Sequence, residues 1–198
     1  MALTKLNNNG IAGVTALPSS VALGDMVLVS SATASSSATI DFTLGDYKEY
    51  QFYLVNIHPA TDNVDFTMNF STDNGSNYNV TKTDTYFAAL HTEAGNDSGL
   101  QYEAAEDLAQ GTGFTVITKE QANDNDSGAV SIINIFNPSS TTFVKHYIMR
   151  SGWFQHNDYA QDAYKAGYAN TTSALTNIRF KFASGNIDSG TILMYGIN

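Results

Sequence analysis

Short segments in which apolar and polar residues alternate recur along this chain, and they restrict its fold more than any other feature does. In the clearest of them, Val64, Phe66, Met68 and Phe70 alternate with polar residues. A period of two places the apolar side chains on one face of a β-strand. Similar segments begin at Met26 and recur up to the last residues of the chain. The alternation therefore predicts a protein built almost wholly of β-strands.

Clusters of Asn, Asp, Ser and Gly lie between these segments, and such clusters are typical of turns. Nine to eleven strands result, joined mostly by short loops and without the helices that parallel crossovers need. This pattern favours an all-β fold, an antiparallel two-sheet jelly-roll-like sandwich. We expect the sandwich to span residues 25–198.

Three local features lead to more specific predictions. Asn74 and Gly75 form a strong hairpin-turn signal between the strand at 64–70 and an expected strand from Tyr78 onward. Residues 100–110 are the one plausible helix, about two turns long. Residues 153–169 have no clear period and predict a long loop or a bent strand.

The chain ends on an apolar run, residues 191–197, that resembles a strand. Chain ends usually fray unless a neighbouring element holds them. We therefore expect this strand to lie centrally in a sheet, between strands formed much earlier in the sequence. Deletion of residues 190–198 should then prevent folding.

Residues 1–24 contain several Asn and Gly residues and no sustained period, which predicts an extended N-terminal arm. An arm without a core of its own is suited to docking on the body of the protein or on another chain. The candidate partner-binding residues are its apolar side chains, Leu3, Leu6, Ile11, Val14 and Leu17.

Charge and composition exclude several classes of function. The net charge is -10, and the nine basic residues are spread out, so a nucleic-acid partner and an acidic lipid surface are disfavoured. The absence of cysteine excludes disulfides and cysteine-based zinc sites. The first residues lack the apolar core of a signal peptide, and no run is long enough to span a membrane. These features indicate synthesis in the cytoplasm.

Motifs for catalysis and cofactor binding are missing from the sequence. It has no GxSxG elbow, no phosphate-binding glycine loop and no zinc-type histidine spacing. We therefore expect neither enzymatic activity nor a cofactor. The best metal candidate is calcium at Asp124 and Asp126, but an acid is missing at EF-hand spacing, where Asn134 stands. Asn and Asp also favour tight turns, and a turn is our preferred interpretation.

Aromatic residues are concentrated in residues 153–169 and form the main candidate binding surface. Trp153, Phe154, Tyr159 and Tyr164 have the side chains that stack on sugars or anchor protein contacts. The alternative is that these residues cap one end of the sandwich as part of its core.

Three stretches together resemble a family of small virion structural proteins of tailed bacteriophages, especially marine ones. They are "YLVNIHPATDNVDFTMNFSTDNGSNYNVTKT", "IFNPSSTTFVKHYIMRS" and "ALTNIRFKFASGNIDSGTILMYGI". The resemblance covers residues 40–198, and the start "MALTKLNNNGIAG" also resembles the opening of phage structural proteins. It implies a jelly-roll-like fold and a location in the virion, and it carries over no catalytic motif.

The resemblance implies a phage structural protein that assembles with itself, as a homotrimer, and with other virion proteins. One form is a capsid decoration or cement protein whose arm contacts the major capsid protein. The alternative form is a tail-fibre or receptor-binding module that recognises a host surface glycan. A stand-alone carbohydrate-binding module is a further alternative. The short arm and the lack of a shaft-like segment favour decoration.

Overall fold

Residues 26–198, which the computed structural model describes, form twelve β-strands and one short 3-10 helix at Ala104–Glu106. The strands are β1 (Met26–Thr33), β2 (Ile40–Thr43), β3 (Glu49–Pro59), β4 (Val64–Ser71), β5 (Lys82–Thr92), β6 (Ser98–Tyr102), β7 (Thr115–Gln121), β8 (Ala129–Phe136), β9 (Lys145–Gln155), β10 (Tyr159–Ala169), β11 (Asn177–Phe182) and β12 (Ile187–Ile197). The predicted all-β fold is confirmed.

The strands are arranged in two antiparallel sheets. Eight of them follow the order β1-β12-β3-β8-β9-β10-β5-β6, and four follow the order β7-β4-β11-β2. The sheets meet at one corner, where Gln121 of β7 is paired with Gln155 of β9. The result is the expected jelly-roll-like sandwich, nearly closed at this corner.

Aromatic side chains fill the space between the two sheets. Phe52 of the eight-stranded sheet contacts Phe42 and Phe180 of the four-stranded sheet, with ring centroids 5.6 and 5.5 Å apart. Phe70 and Tyr147 make a similar contact between the two sheets at 5.7 Å. These inward residues stand at alternating positions of their strands. The apolar residues that recur with a period of two in the sequence therefore form the core.

The C-terminal strand lies where the sequence predicts it. β12 pairs with β1 on one side and with β3 on the other, so both neighbours come from the first third of the chain. Ile192 and Met194 point into the core and are almost fully buried. The sheet is therefore complete only when the last strand has docked.

The prediction of a hairpin at Asn74 and Gly75 is wrong in its strand pairing. Both residues have positive φ, as such a turn requires. However, β4 pairs with β7 and β11, whereas β5 pairs with β6 and β10. The chain crosses from one sheet to the other after this turn, and the next strand begins at Lys82 rather than Tyr78.

Two further segments differ from the predictions. Residues 100–110 form the end of β6 and a single 3-10 turn instead of a two-turn helix. A helix of this length has little stability of its own, and pairing with β5 satisfies the backbone instead. Residues 153–169 form no long loop, because β9 and β10 make a regular antiparallel hairpin with a tight connection.

Candidate functional site

One row of outward-pointing residues crosses the whole eight-stranded sheet. Its members are direct register partners in neighbouring strands: Ser31, Leu193, Tyr53, Ile132, Arg150, Tyr164, Phe87 and Tyr102. The rows two residues away on either side also point outward. Residues of these flanking rows include Val55, Val130, Gly152, Asp162, Ala89, Leu100, Asn134, Ile148, Ala166 and Thr85. We call the three rows the outer face.

Large apolar side chains of the outer face are exposed. Val130 is 51% exposed and Ile148 is 49% exposed, and both lie in the middle of the sheet. Val55, Ile132 and Phe87 are exposed to a similar degree. Single exposed apolar residues are common, but a contiguous group of them indicates a binding surface.

An aromatic pair and an ion pair lie side by side in the outer face, on the neighbouring strands β9, β10 and β5. The rings of Phe87 and Tyr164 stack with centroids 5.3 Å apart. The Arg150 guanidinium lies 5.2 Å from the centroid of the Tyr164 ring. It also donates two hydrogen bonds to the Asp162 carboxylate, at 2.9 and 2.8 Å, which raise the pKa of Arg150. The guanidinium is thus held between the Asp162 carboxylate and the Tyr164 ring.

Two neighbouring depressions in the outer face, of about 430 and 550 Å³, lie beside Arg150. The first is lined by residues that include Phe87, Ile148 and Tyr164, and the second by residues that include Val55 and Val130. Ile132 and Arg150 line both of them. The depressions make the surface uneven enough to accept side chains of a partner.

The outer face is almost free of net charge although the chain is strongly acidic. Arg150 and Asp162 are its charged residues, and they neutralise each other. The chain as a whole carries a net charge of -10. A neutral apolar surface on an acidic protein is a place where two copies can approach without strong repulsion.

A second group of polar residues lies inside the sandwich. Asp84 accepts hydrogen bonds from the Tyr147 hydroxyl and the Thr115 hydroxyl, both at 2.6 Å. Lys165 Nζ lies 3.3 Å from Asp84 Oδ1, and both side chains are fully buried. Burial lowers the pKa of Lys165 and raises the pKa of Tyr147. The group is closed to solvent, so it contributes to the structure of the core and has no access to a ligand.

The four predicted aromatic residues do not form one surface. Trp153 points into the core, is 5% exposed, and donates from Nε1 to the Lys119 carbonyl oxygen at 2.8 Å. Phe154 and Tyr159 are half-buried, and the Tyr159 hydroxyl donates to Asp97. Tyr164 alone among the four belongs to the outer face. Trp153 thus occupies the core position that the sequence analysis gave as the alternative.

Asp124 and Asp126 lie in the loop between β7 and β8. The Asp124 carbonyl oxygen accepts a hydrogen bond from the Ser127 amide at 2.9 Å, as in a tight turn, and contacts His58 Nε2 at 3.0 Å. Within residues 26–198, no group of three or more His, Cys, Asp or Glu side chains is arranged to hold a metal ion.

The arm candidates Leu3, Leu6, Ile11, Val14 and Leu17 lie outside the described residues. The sequence analysis missed Phe87, Arg150, Asp162 and the apolar residues of β8 as site residues. A signal existed in β8, "AVSIINIF", because apolar residues stand at consecutive positions and must therefore point to both faces.

Comparison of the chain with protein-family models, with curated proteins and with solved structures finds no match. In the part of the chain that the structure describes, no helix has the length and apolar character that crossing a membrane requires. The choice of a candidate site therefore depends on the structure alone, and the exposed apolar side chains make the outer face our candidate.

Proposed function

We propose that this chain is a virion structural protein of a tailed bacteriophage that assembles as a symmetric homo-oligomer, a trimer, and decorates the capsid surface. The three stretches that resemble phage virion proteins support the location. The single observation that supports self-assembly is the exposed, neutral and largely apolar outer face. The arm at residues 1–24 is then the element that contacts the major capsid protein.

The size of the outer face suits a stable interface. Eight strands about 4.8 Å apart make it about 34 Å wide. Three rows about 6.7 Å apart, with their side chains, make it about 20 Å high, so its area is roughly 700 Å². A standard interface buries about 800 Å² on each partner. A face packed directly against the same face of a second copy gives a two-fold dimer, so in a trimer the three outer faces meet around the three-fold axis and each is shared between two neighbours. The area that each copy buries in total is then close to that of one standard interface.

Charge favours a second copy of this chain as the occupant of the outer face. The outer face has no net charge, so it does not attract a strongly charged partner surface. Two copies in contact here bury apolar side chains and keep their acidic residues apart. The stacked aromatic pair, Phe87 and Tyr164, has side chains of the kind that anchor interfaces.

The experiment that tests self-assembly compares the full chain with the double variant Ile132→Asp, Ile148→Asp. We expect the unchanged chain to have the mass of three copies in light scattering or mass photometry, and the variant to be monomeric. The matched control is Phe143→Asp, because Phe143 is 70% exposed and lies in the loop before β9, away from the outer face. A monomeric unchanged chain, or a variant that stays trimeric, would contradict the proposal.

The location in the virion is tested by electron microscopy of intact particles of a phage that encodes this chain. We expect the density of the sandwich on the outside of the shell, with residues 1–24 against the major capsid protein. Density at the tail tip would instead support the tail-fibre form. Particles without this polypeptide would rule out both forms.

A second candidate is a receptor-binding module or a carbohydrate-binding module that recognises a surface glycan. The observation that favours it is the exposed Tyr164 ring beside Arg150 and Asp162, because an aromatic ring next to polar groups is suited to a sugar. Binding on a glycan array that is lost in Tyr164→Ala would support it. A trimer that binds no glycan would instead support self-assembly through the outer face.

A further inference from the structure

Lys82 of β5 and Asn69 of β4 form a contact in the core that the proposed function does not use. Both side chains are fully buried. The two strands belong to different sheets, because β4 is in the four-stranded sheet and β5 is in the eight-stranded sheet. A contact between these residues therefore connects the two layers of the sandwich.

The distance between the two side chains is short. Lys82 Nζ lies 2.5 Å from Asn69 Oδ1 and 2.7 Å from the Val80 carbonyl oxygen. Within residues 26–198, Lys82 forms no ion pair with a carboxylate. A buried lysine without a partner carboxylate is unfavourable in its charged form.

The side-chain amide of Asn69 is fixed by the backbone around it. Its Nδ2 donates to the carbonyl oxygens of Tyr78 at 2.7 Å, Thr112 at 3.0 Å and Gly113 at 3.2 Å. Its Oδ1 accepts a hydrogen bond from the Phe70 amide at 2.8 Å. A fixed N–H donor at this oxygen stabilises the negative charge that develops there when a nucleophile attacks the carbonyl carbon.

The lysine is also suited to act as the nucleophile. Burial lowers the pKa of Lys82 to about 8, and the charge of Asp84 opposes this shift only in part. The neutral amine is the nucleophilic form, and it is therefore well populated under mildly alkaline conditions. The amide is held next to it, so the reaction needs no encounter through diffusion.

We propose that Lys82 and Asn69 react to form an intramolecular isopeptide bond that covalently joins β4 and β5. The neutral Nζ attacks Asn69 Cγ, and the electron pair of the C=O bond moves to Oδ1. A proton passes from Nζ to Nδ2, the C–Nδ2 bond breaks as the carbonyl re-forms, and ammonia leaves. One amine and one primary amide become one secondary amide and ammonia, so no oxidant, metal or other co-reactant is needed.

The bond would tether the two sheets through side chains rather than through the backbone alone. It closes the segment between Asn69 and Lys82, which crosses from one sheet to the other, into a covalent loop. The chain has no cysteine, so a disulfide cannot serve this purpose. The proposal is independent of the location of the protein, since it depends on the contacts of Asn69 and Lys82 alone.

The test is the intact mass of the purified, folded full chain, measured under denaturing conditions after incubation above the pKa of Lys82. We expect a mass lower than that of the sequence by one ammonia molecule. Peptide mapping should yield a branched peptide that joins residue 69 to residue 82, with no tryptic cleavage after Lys82. A folded chain with the full mass of its sequence would show that the contact is a hydrogen bond only and would overturn the proposal.

Ammonia can also be lost by succinimide formation at Asn9 and Gly10 and at Asn74 and Gly75, so controls must separate these two sites from the proposed bond. The double variant Asn9→Asp, Asn74→Asp should keep the ammonia loss, and Lys82→Met should abolish it. Lys145→Met is the matched control, because Lys145 is equally buried but donates to the Thr171 and Ser173 carbonyl oxygens. Ammonia loss that disappears in the double variant Asn9→Asp, Asn74→Asp would overturn the proposal even if Lys82→Met does not fold.

Discussion

At the scale of single residues, the core of this sandwich tolerates the buried Asp84 carboxylate because that group has several hydrogen-bond partners. Asp84 accepts hydrogen bonds from Tyr147, Thr115 and the Leu108 amide, and it pairs with Lys165. A buried charge with incomplete partners is strongly destabilising, whereas a satisfied group is tolerated. The stability of the core should therefore depend on single hydroxyl groups.

The variant Tyr147→Phe removes one donor to Asp84 and keeps the ring. We expect it to lower the free energy of unfolding by about 2 kcal/mol, because a hydrogen bond to a buried carboxylate is lost. Urea denaturation measures the change. Tyr168→Phe is the control, since Tyr168 lies on the outward side of β10, and it should change the free energy by less than about 0.5 kcal/mol. Equal effects of the two variants would contradict the role of Asp84.

Asp73 predicts a dependence of stability on acid pH. Its carboxylate accepts hydrogen bonds from the Ser71 hydroxyl and from the backbone and side chain of Asn77, which lower its pKa from 3.8 to about 2. The folded state therefore binds this proton less readily than the unfolded state. The stabilisation is fully present above a pH of about 4 and is lost as the pH falls toward about 2.

The variant Asp73→Asn should remove this part of the pH dependence. We expect its stability to change less than that of the unchanged chain between pH values of about 4 and 2, as measured by urea denaturation at each pH. Asp126→Asn is a suitable control in another Asn- and Asp-rich loop. If the free energy of unfolding changes equally with pH in Asp73→Asn and in the unchanged chain, Asp73 does not contribute to the pH dependence.

At the scale of elements, the positions of the strands were easier to predict than their pairing. The alternation predicted most strands within a few residues, and β4 at Val64–Ser71 matches the predicted segment from Val64 to Phe70. Pairing was harder to predict, because Asn74 and Gly75 have the dihedral angles of a hairpin turn and yet do not join paired strands. The loop is stabilised instead by Ser71 and Asp73, whose side chains bind its backbone.

The position of β12 predicts the effect of a C-terminal truncation. Deletion of residues 190–198 removes the strand between β1 and β3 and the buried side chains of Ile192 and Met194. We expect the truncated chain to be unfolded or insoluble, because β1 then has no partner among the described strands. Deletion of Asn198 alone, which follows β12, is the control. A truncated chain that melts as the unchanged chain does would contradict this placement.

At the scale of the whole molecule, both sheets contain pairs of strands that are distant in sequence, although β8 with β9, β9 with β10 and β5 with β6 are pairs of consecutive strands. β12 lies between β1 and β3, and β11 lies between β2 and β4. Loop closure must precede most of these contacts, so folding should be slow, in the range of milliseconds to seconds. The two sheets share one core, which predicts a single cooperative transition.

Trp153 provides the probe for this cooperativity. It is the one tryptophan of the chain, and its indole joins β9 to Lys119 of β7 where the two sheets meet. We expect the midpoint of urea unfolding from Trp153 fluorescence to equal that from far-UV circular dichroism. Different midpoints would show that the corner between the sheets opens separately from the rest of the sandwich.

The sequence by itself determined that this protein is all-β and where most of its strands lie. The reason is that the period of two is a local property, set by the opposite directions of successive side chains in a strand. It also indicated, through residues 191–197, that the chain end must be held by early strands. The candidate site was predicted less well, since Tyr164 is the one proposed aromatic residue that the outer face contains.

Only the tertiary structure decided which strands are neighbours and which face of the large sheet is left exposed among residues 26–198. Phe87, Arg150 and Tyr164 come from β5, β9 and β10, and their alignment in one row depends on register between distant segments. The contact between Lys82 and Asn69 likewise exists because the two sheets stack. Pairing and stacking are decided by burial summed over the whole molecule, and no short segment of sequence contains that information.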